Sequence, residues 1–188
     1  MEQASPILAG LVLFAPRRFD DERGSFRELW NSERADETGL PRVFVQTNHS
    51  QSVRDVLRGL HFQRRWPQGK WVTVIRGEIL DVVVDLRASS STFGQAAAFE
   101  LGEAEGRALY VPPGFAHGFL VRSDVADVVY HTTAPYRPGD EGALRWDDPC
   151  VAALWPEGVA PRLSPKDAAA PYLRDMKPED LPREEPSP

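Results

Sequence analysis

GRALYVPPGFAHGFLV, residues 106–121, is the stretch from which the fold can be read. Pro112, Pro113 and Gly114 favour a turn, because proline fixes φ and removes a donor while glycine tolerates conformations other residues avoid. The turn delivers His117 to the start of an apolar run, HGFLVR (117–122), with strand character. The runs on either side are of the same kind: 42–46 (RVFVQ), 54–63 (RDVLRGLHFQ), 71–75 (WVTVI), 79–86 (ILDVVVDL) and 125–131 (VADVVYH) are short, rich in β-branched and aromatic residues, and bounded by breakers. Arg76-Gly77 is expected to be a two-residue hairpin turn. Helical pattern is confined to 32–38 (SERADET), with Ser32 as its N-cap, and 164–170 (SPKDAAA). Many short strands with regular turn punctuation and no internal repeat predict a sandwich, jelly roll or small barrel.

The 188 residues fit one domain, expected over 1–172, followed by a proline-rich tail over 173–188 whose last ten or so residues are expected to be solvated. A hydrophobic fraction of 41% beside 27% charged residues excludes wholesale disorder. The net charge of -6, with no basic block, argues against nucleic acid as a partner. The longest apolar stretch, Ile7 to Ala15, is half the roughly 18 residues a membrane helix needs, so no membrane partner is expected. The chain opens MEQASP without the positive charge of a signal peptide, and Cys150 is the single cysteine. Both features predict a reducing, cytoplasmic location.

Several chemistries have no sequence support. There is no G-x-S-x-G elbow for a serine hydrolase, and neither GxxxxGK[ST] nor GxGxxG for a phosphate-cradling loop. Cys150, in WDDPC, has no histidine near it in sequence. The four histidines, His49, His61, His117 and His131, are the scarce residues worth weighing. The spacing of Gly106, Pro112, Gly114 and His117, G-x5-P-x-G-x2-H, resembles the second motif of the cupin superfamily. A metal-binding cupin would carry H-x-H and a later Glu in its first motif. Here RGLHFQRRWPQGKWV has one histidine, His61, and two histidines are too few for a first-row metal site of three or four ligands. No metal and no other cofactor is expected.

DERGSFRELW (21–30), QTNHS (46–50), VLRGLHFQ (56–63), QGKWV (68–72), DVVVDLRASSSTFG (81–94), PPGFAHGFLV (112–121), TTAPYRPGDEG (132–142) and LSPKDAAAP (163–171) follow one another in an order that resembles the dTDP-4-dehydrorhamnose 3,5-epimerase family, a metal-free branch of the cupins. The resemblance spans roughly residues 10–172. It implies an all-β, cupin-type double-stranded β-helix, or jelly roll, with a few short peripheral helices. It also implies a nucleotide-linked 4-keto-6-deoxyhexose as substrate, inverted at carbons next to the ketone. Such chemistry needs a base on one face, charge stabilisation at the keto oxygen and an acid on the opposite face.

By resemblance His61 is the base, Asp167 its orienting partner, Lys70 the cation at the keto oxygen and Tyr130 the acid. Arg23 and Arg58 are the implied diphosphate cations. Phe26, Glu28, Gln46, Asn48, Tyr136 and Glu141 match positions around the nucleotide and sugar, and His117 matches a position lining the sugar pocket. The segment from Arg23 to Glu28 reaches a partner subunit's site in this family, which implies a homodimer. His131 stands where lysine is common, and WDDP (146–149) replaces a more usual W-N-D-P; neither touches the implied acid and base.

The residues also have plainer readings. His61 alternates with Leu60 and Phe62 and fits a structural strand histidine. Ser164-Pro165-Lys166-Asp167 reads as a capping box at a short helix. Lys70 fits a solvated strand start, Tyr130 a core tyrosine with a bonded hydroxyl, and Asn48 and Glu141 turn residues. Related activities stay open: inversion at one carbon only, a non-catalytic sugar-nucleotide-binding cupin, or a metal-dependent one. Strand parity adds one independent expectation. In a regular strand Arg58 and His61 would face opposite sides, so sharing a pocket requires an irregularity, predicted at Gly59.

Overall fold

The computed structural model describes residues 8–35 and 40–184. Among the described residues the strands are, in chain order, β1 (Val12–Phe14), β2 (Arg18–Asp21), β3 (Gly24–Arg27), β4 (Gln46–Val53), β5 (Leu57–Gln63) and β6 (Lys70–Arg76). They continue as β7 (Glu78–Asp85), β8 (Ala96–Gly102), β9 (Ala108–Val111), β10 (Phe115–Val121), β11 (Val125–Thr132) and β12 (Glu141–Ala143). One sheet has the order β1-β9-β6-β11-β4 and the other β12-β5-β10-β7-β8; β2 and β3 form a separate hairpin. Every strand pair is antiparallel. The fold is the expected jelly roll, in which the chain repeatedly crosses from one sheet to the other.

Alternation of side chains explains both the barrel interior and its two covers. Val72 and Val74 on β6, Val83 on β7, Phe115 and Phe119 on β10, and Ala126 and Val128 on β11 meet between the sheets. The intervening residues face outward and are also buried: Trp71, Ala108 and Tyr110 lie under an N-terminal layer that includes Leu40 and Trp30. On the other side Leu80, Val82, Val84 and Leu120 lie under Leu144, Val151, Trp155 and the C-terminal segment. This double burial gives β7 and β10 their nearly unbroken apolar sequences. Each fully buried Val or Leu side chain contributes about 1.5–3 kcal/mol relative to exposure.

Four expectations differ from the structure. Arg76-Gly77 is a corner between sheets, since β6 pairs with β9 and β11 while β7 pairs with β8 and β10. Gly77 is required there: φ is +77°, and a Cβ would fall 2.2 Å from the Val125 carbonyl oxygen. The strand expected over 42–46 begins at Gln46, because Gln46 pairs with Thr132, the last residue of β11, and the preceding residues run past that partner. Residues Ser32–Arg34 form a 3-10 turn capped by Asn31, whose side chain accepts from the Glu33 N–H, rather than a helix capped by Ser32; residues 36–38 of that expectation lie outside the described residues.

The proline-rich segment is not free in solvent as far as Glu184. Leu173 and Met176 pack on the C-terminal layer. The Arg183 N–H donates to the Arg64 carbonyl at 2.6 Å, and the Glu184 carboxylate accepts from the Ser89 N–H at 2.6 Å. Backbone pairing of this kind outweighs the solvating composition that the prolines and acids suggested. Residues 185–188 lie outside the described residues. No helix among the described residues is long and apolar enough to cross a membrane.

Candidate active site

One end of the barrel opens into a cavity of about 430 Å³. Gln46, Asn48 and Ser50 reach it from β4, Arg58 and His61 from β5, Lys70 from β6, His117 and Phe119 from β10, and Tyr130 from β11. Tyr136, Glu141, Lys166 and Asp167 complete its rim. The inward parity of even-numbered β4 and β6 residues and of Tyr130 follows from the pleat alone.

The convergence of Arg58 and His61 does not follow from the pleat and depends on the predicted irregularity at Gly59. His117 pairs with His61 but Phe119 pairs with Arg58, so three steps along β5 match two along β10. The extra residue is a bulge, with Gly59 at φ +115°. It restores Leu57, Leu60 and Phe62 to the outer apolar layer while Arg58 and His61 both enter the cavity. Gly118 lies opposite, and a Cβ on Gly59 would come within 2.6 Å of its Cα.

His61 Nε2 lies 2.6 Å from Asp167 Oδ1. Asp167 opens the short helix α1 (Pro165–Ala168), where Ser164 is the N-cap and accepts from the Asp167 N–H. The carboxylate itself turns to His61, so only the Ser164 half of the expected capping box forms and the acid does not cap the helix. Burial alone would raise Asp167; the hydrogen bond and charge of His61, aided by Ser164 and the Gly59 backbone, hold it below the usual carboxylate value.

Lys70 Nζ donates to the His61 carbonyl oxygen at 3.1 Å. Burial pulls its ammonium down to about 8, against the opposing pull of Asp81 and Glu141. Burial also raises the Tyr130 phenol, with Glu141 acting in the same direction and Arg58 against it. Arg58 Nε donates to Ser52 Oγ at 2.8 Å. Gln46 binds Asn48 through Nε2, at 2.7 Å, and accepts from the Tyr136 N–H through Oε1, at 2.8 Å, tying β4 to the rim. Glu141 and Lys166 form an ion pair across the mouth.

Three of the expected residues stand apart from this cavity. Arg23 and Phe26 are on the β2–β3 hairpin, where Arg23 pairs with Asp21 and Phe26 is 69% exposed. Glu28 accepts from Asn31 Nδ2 at 3.0 Å beside Trp30 and Trp71. Sequence reasoning missed Lys166 and Ser50. Lys166 adjoins Asp167 in a helical segment, where neighbours diverge and spacing gave no sign of convergence. Ser50 was recoverable from its parity with Gln46 and Asn48. Cys150 is half-buried in the C-terminal layer, and its thiol is pushed up to about 12 by burial and Asp148, far from nucleophilic character.

The geometry therefore brings an imidazole–carboxylate pair, a neutral phenol and a buried cation around one cavity. Comparison with known proteins agrees on what such a barrel is. The family model described as dTDP-4-dehydrorhamnose 3,5-epimerase matches residues 6–175. A dTDP-4-dehydrorhamnose 3,5-epimerase from Methanothermobacter thermautotrophicus is 49% identical over 149 residues, 79% of this chain and 80% of that protein. One from Salmonella typhimurium is 46% identical over 165 residues, 87% and 90% of the two chains. The crystal structure of dTDP-6-deoxy-D-glucose-3,5-epimerase RmlC from Legionella pneumophila, in complex with dTDP-4-keto-L-rhamnose, superposes with a TM-score of 0.90 at 43% identity over 96% of both chains. The chain belongs to the dTDP-4-dehydrorhamnose 3,5-epimerase family.

Proposed function

We propose that the cavity binds a dTDP-4-keto-6-deoxyhexose and inverts it at C3 and C5. The observation that carries this reading is that the His61–Asp167 pair and the Tyr130 hydroxyl line one cavity large enough for a hexose. His61 takes the proton from the carbon next to the ketone. The C–H electron pair becomes the new C=C bond and the carbonyl π pair moves onto oxygen as an enolate. Asp167, held ionised, stabilises the imidazolium so formed, and the Lys70 ammonium faces the enolate oxygen. Tyr130, kept neutral by burial, gives its proton to the carbon from the opposite face; the phenolate regains a proton from solvent, and His61 releases its own. Arg58 and Lys166 supply local positive charge for the diphosphate on an acidic protein.

Arg23, Phe26 and Glu28 enter this reading through a second subunit. The β2–β3 hairpin carries Phe19 and Phe26 in mutual contact but largely exposed. Such a projecting apolar tip fits insertion at the rim of a partner's cavity, which makes the working form a homodimer.

Incubation with dTDP-4-keto-6-deoxyglucose in deuterated water tests the reading. Deuterium at both C3 and C5 is expected. Deuterium at one carbon would replace it with single-carbon epimerisation, and deuterium at neither would remove the catalytic reading for this substrate. Sedimentation velocity checks the dimer; a monomer at working concentration would remove the hairpin residues from the site.

A further inference from the structure

Asp81 is a carboxylate that the proposed chemistry leaves without a role. It lies on β7 between Ile79 and Val83, on the inward face of the strand, and is fully inaccessible. Oδ2 lies 2.8 Å from His117 Nε2, while Oδ1 has no hydrogen-bond partner among the described residues. Taking a carboxylate out of water is costly, and an apolar residue of similar size at such a site is often neutral or stabilising. A stability role alone does not explain a buried acid with one oxygen unpaired.

Its surroundings do. His117 lines the cavity and Asp81 lies directly behind it. Lys70, the buried cation of the cavity, feels the Asp81 charge most strongly among the carboxylates that oppose its loss of a proton, ahead of Glu141. The other titratable groups that line the cavity are Arg58, His61, Tyr130, Tyr136, Glu141, Lys166 and Asp167. With Nε2 committed to Asp81, the His117 nitrogen that has no partner among the described residues is Nδ1.

Resting on the proposed reaction, we propose that Asp81 is a positioning residue of this site: from beneath the cavity floor it fixes the His117 ring by Nε2 and places a buried carboxylate within electrostatic reach of Lys70. It touches no substrate. Its effect reaches the keto oxygen through two groups that line the cavity, which is how a second layer of buried partners commonly orients a first.

Asp81→Asn keeps the shape and removes the charge. The variant is expected to melt cooperatively, with KM within about threefold of wild type and kcat lower by roughly 10- to 100-fold, the size expected for one charge-assisted hydrogen bond. Its kcat is also expected to fall off at lower pH on the alkaline side than that of wild type, because Lys70 loses a countercharge. A folded variant with unchanged kcat and pH profile, or with its loss confined to KM, would overturn the proposal. If the variant does not fold, nitrogen-15 NMR of the wild-type chain decides: a proton on His117 Nε2 is expected, and a bare Nε2 overturns it. Wild-type protein that turns over no dTDP-4-keto-6-deoxyhexose would instead overturn the proposed function, and the NMR result would still judge the Asp81–His117 pairing.

Discussion

His61 and His117 stand directly opposite each other on β5 and β10, and each ring holds its own carboxylate, Asp167 at 2.6 Å and Asp81 at 2.8 Å. The two pairs are chemically alike and differently placed. The His61 side chain is 34% exposed and that of His117 is 8% exposed. A base that takes a proton from carbon must later exchange it with water, so the more accessible ring is suited to turnover. The sealed ring is suited to holding a fixed hydrogen bond.

Asp167→Asn follows from that division. The variant keeps the size of the side chain but loses the charge that the proposed mechanism uses to stabilise the His61 imidazolium. Its kcat is expected to fall by about 10²–10⁴-fold, with affinity for dTDP, measured by calorimetry, little changed. His61→Asn is expected to abolish carbon–deuterium exchange, and retained exchange in that variant would remove His61 as the base.

Tyr130→Phe separates the two faces of the reaction. With the phenol gone, proton removal by His61 and its return from the same side persist, while inversion does not. The expected signature is deuterium uptake at the first carbon outlasting formation of inverted product, read by NMR of the sugar protons. Equal loss of both would place the tyrosine's role before carbanion formation.

Lys70 carries a prediction of opposite sign for activity and stability. Its folded value of about 8 lies below the ordinary lysine value of 10.5. The charged form that the proposed mechanism sets against the enolate is lost as pH rises through about 8, so kcat is expected to fall on that alkaline limb. Between about 8 and 10.5 the unfolded chain binds more protons than the folded one, so this residue's contribution to stability improves as pH rises. By that linkage Lys70→Met is expected to raise the melting temperature at pH 7, with a gain of at most about 3 kcal/mol, while removing most of the activity.

How much of this was legible follows from what each signal depends on. The strands, their short length and the jelly roll came from local alternation and breakers, which a single segment carries. The corner at Gly77 is not legible locally, because two strands and a glycine look the same whether they pair or part; the partners of β6 and β7 are distant in sequence. The His61–Asp167 contact spans 106 positions, so nothing local could show it, and the resemblance to a known family supplied it. Gly59 is the converse case, where parity and a glycine within a strand together forced a testable irregularity. Asp81 is legible too: in DVVVD (81–85) it shares a face with Val83, and an acid on a buried face is itself a signal.

Asp85 predicts acid sensitivity away from the cavity. Its carboxylate is inaccessible and accepts from Arg87, Ser90 and Thr92. Burial would raise it, but these bonds hold it down at about 2. The folded value lies below the unfolded one, so the stabilisation is present above about pH 4 and is lost as pH falls through about 2. The amount is on the order of 2 kcal/mol. Asp85→Asn is expected to flatten the acid side of the stability curve in urea melts across pH 2–6, and a variant with the wild-type slope would remove this site as its source.

Gly59→Ala tests the feature on which the cavity depends. Two costs add at this position. A φ of +115° is a conformation alanine rarely adopts, worth about 1–3 kcal/mol. The new Cβ would also lie 2.6 Å from Gly118 Cα and 2.8 Å from the His117 carbonyl oxygen, and backbone atoms of a central strand pair cannot give way cheaply. Gly24→Ala supplies the control, since φ there is +129° with nothing within 4 Å of the added Cβ. The Gly24 variant is expected to lose only the strain, and the Gly59 variant at least about 1–3 kcal/mol more, read as the difference between their denaturation midpoints. Relief of the clash by flattening the bulge would return Arg58 and His61 to opposite faces. Residual folded Gly59→Ala protein should therefore also lose kcat when assayed for proton exchange at the substrate carbon.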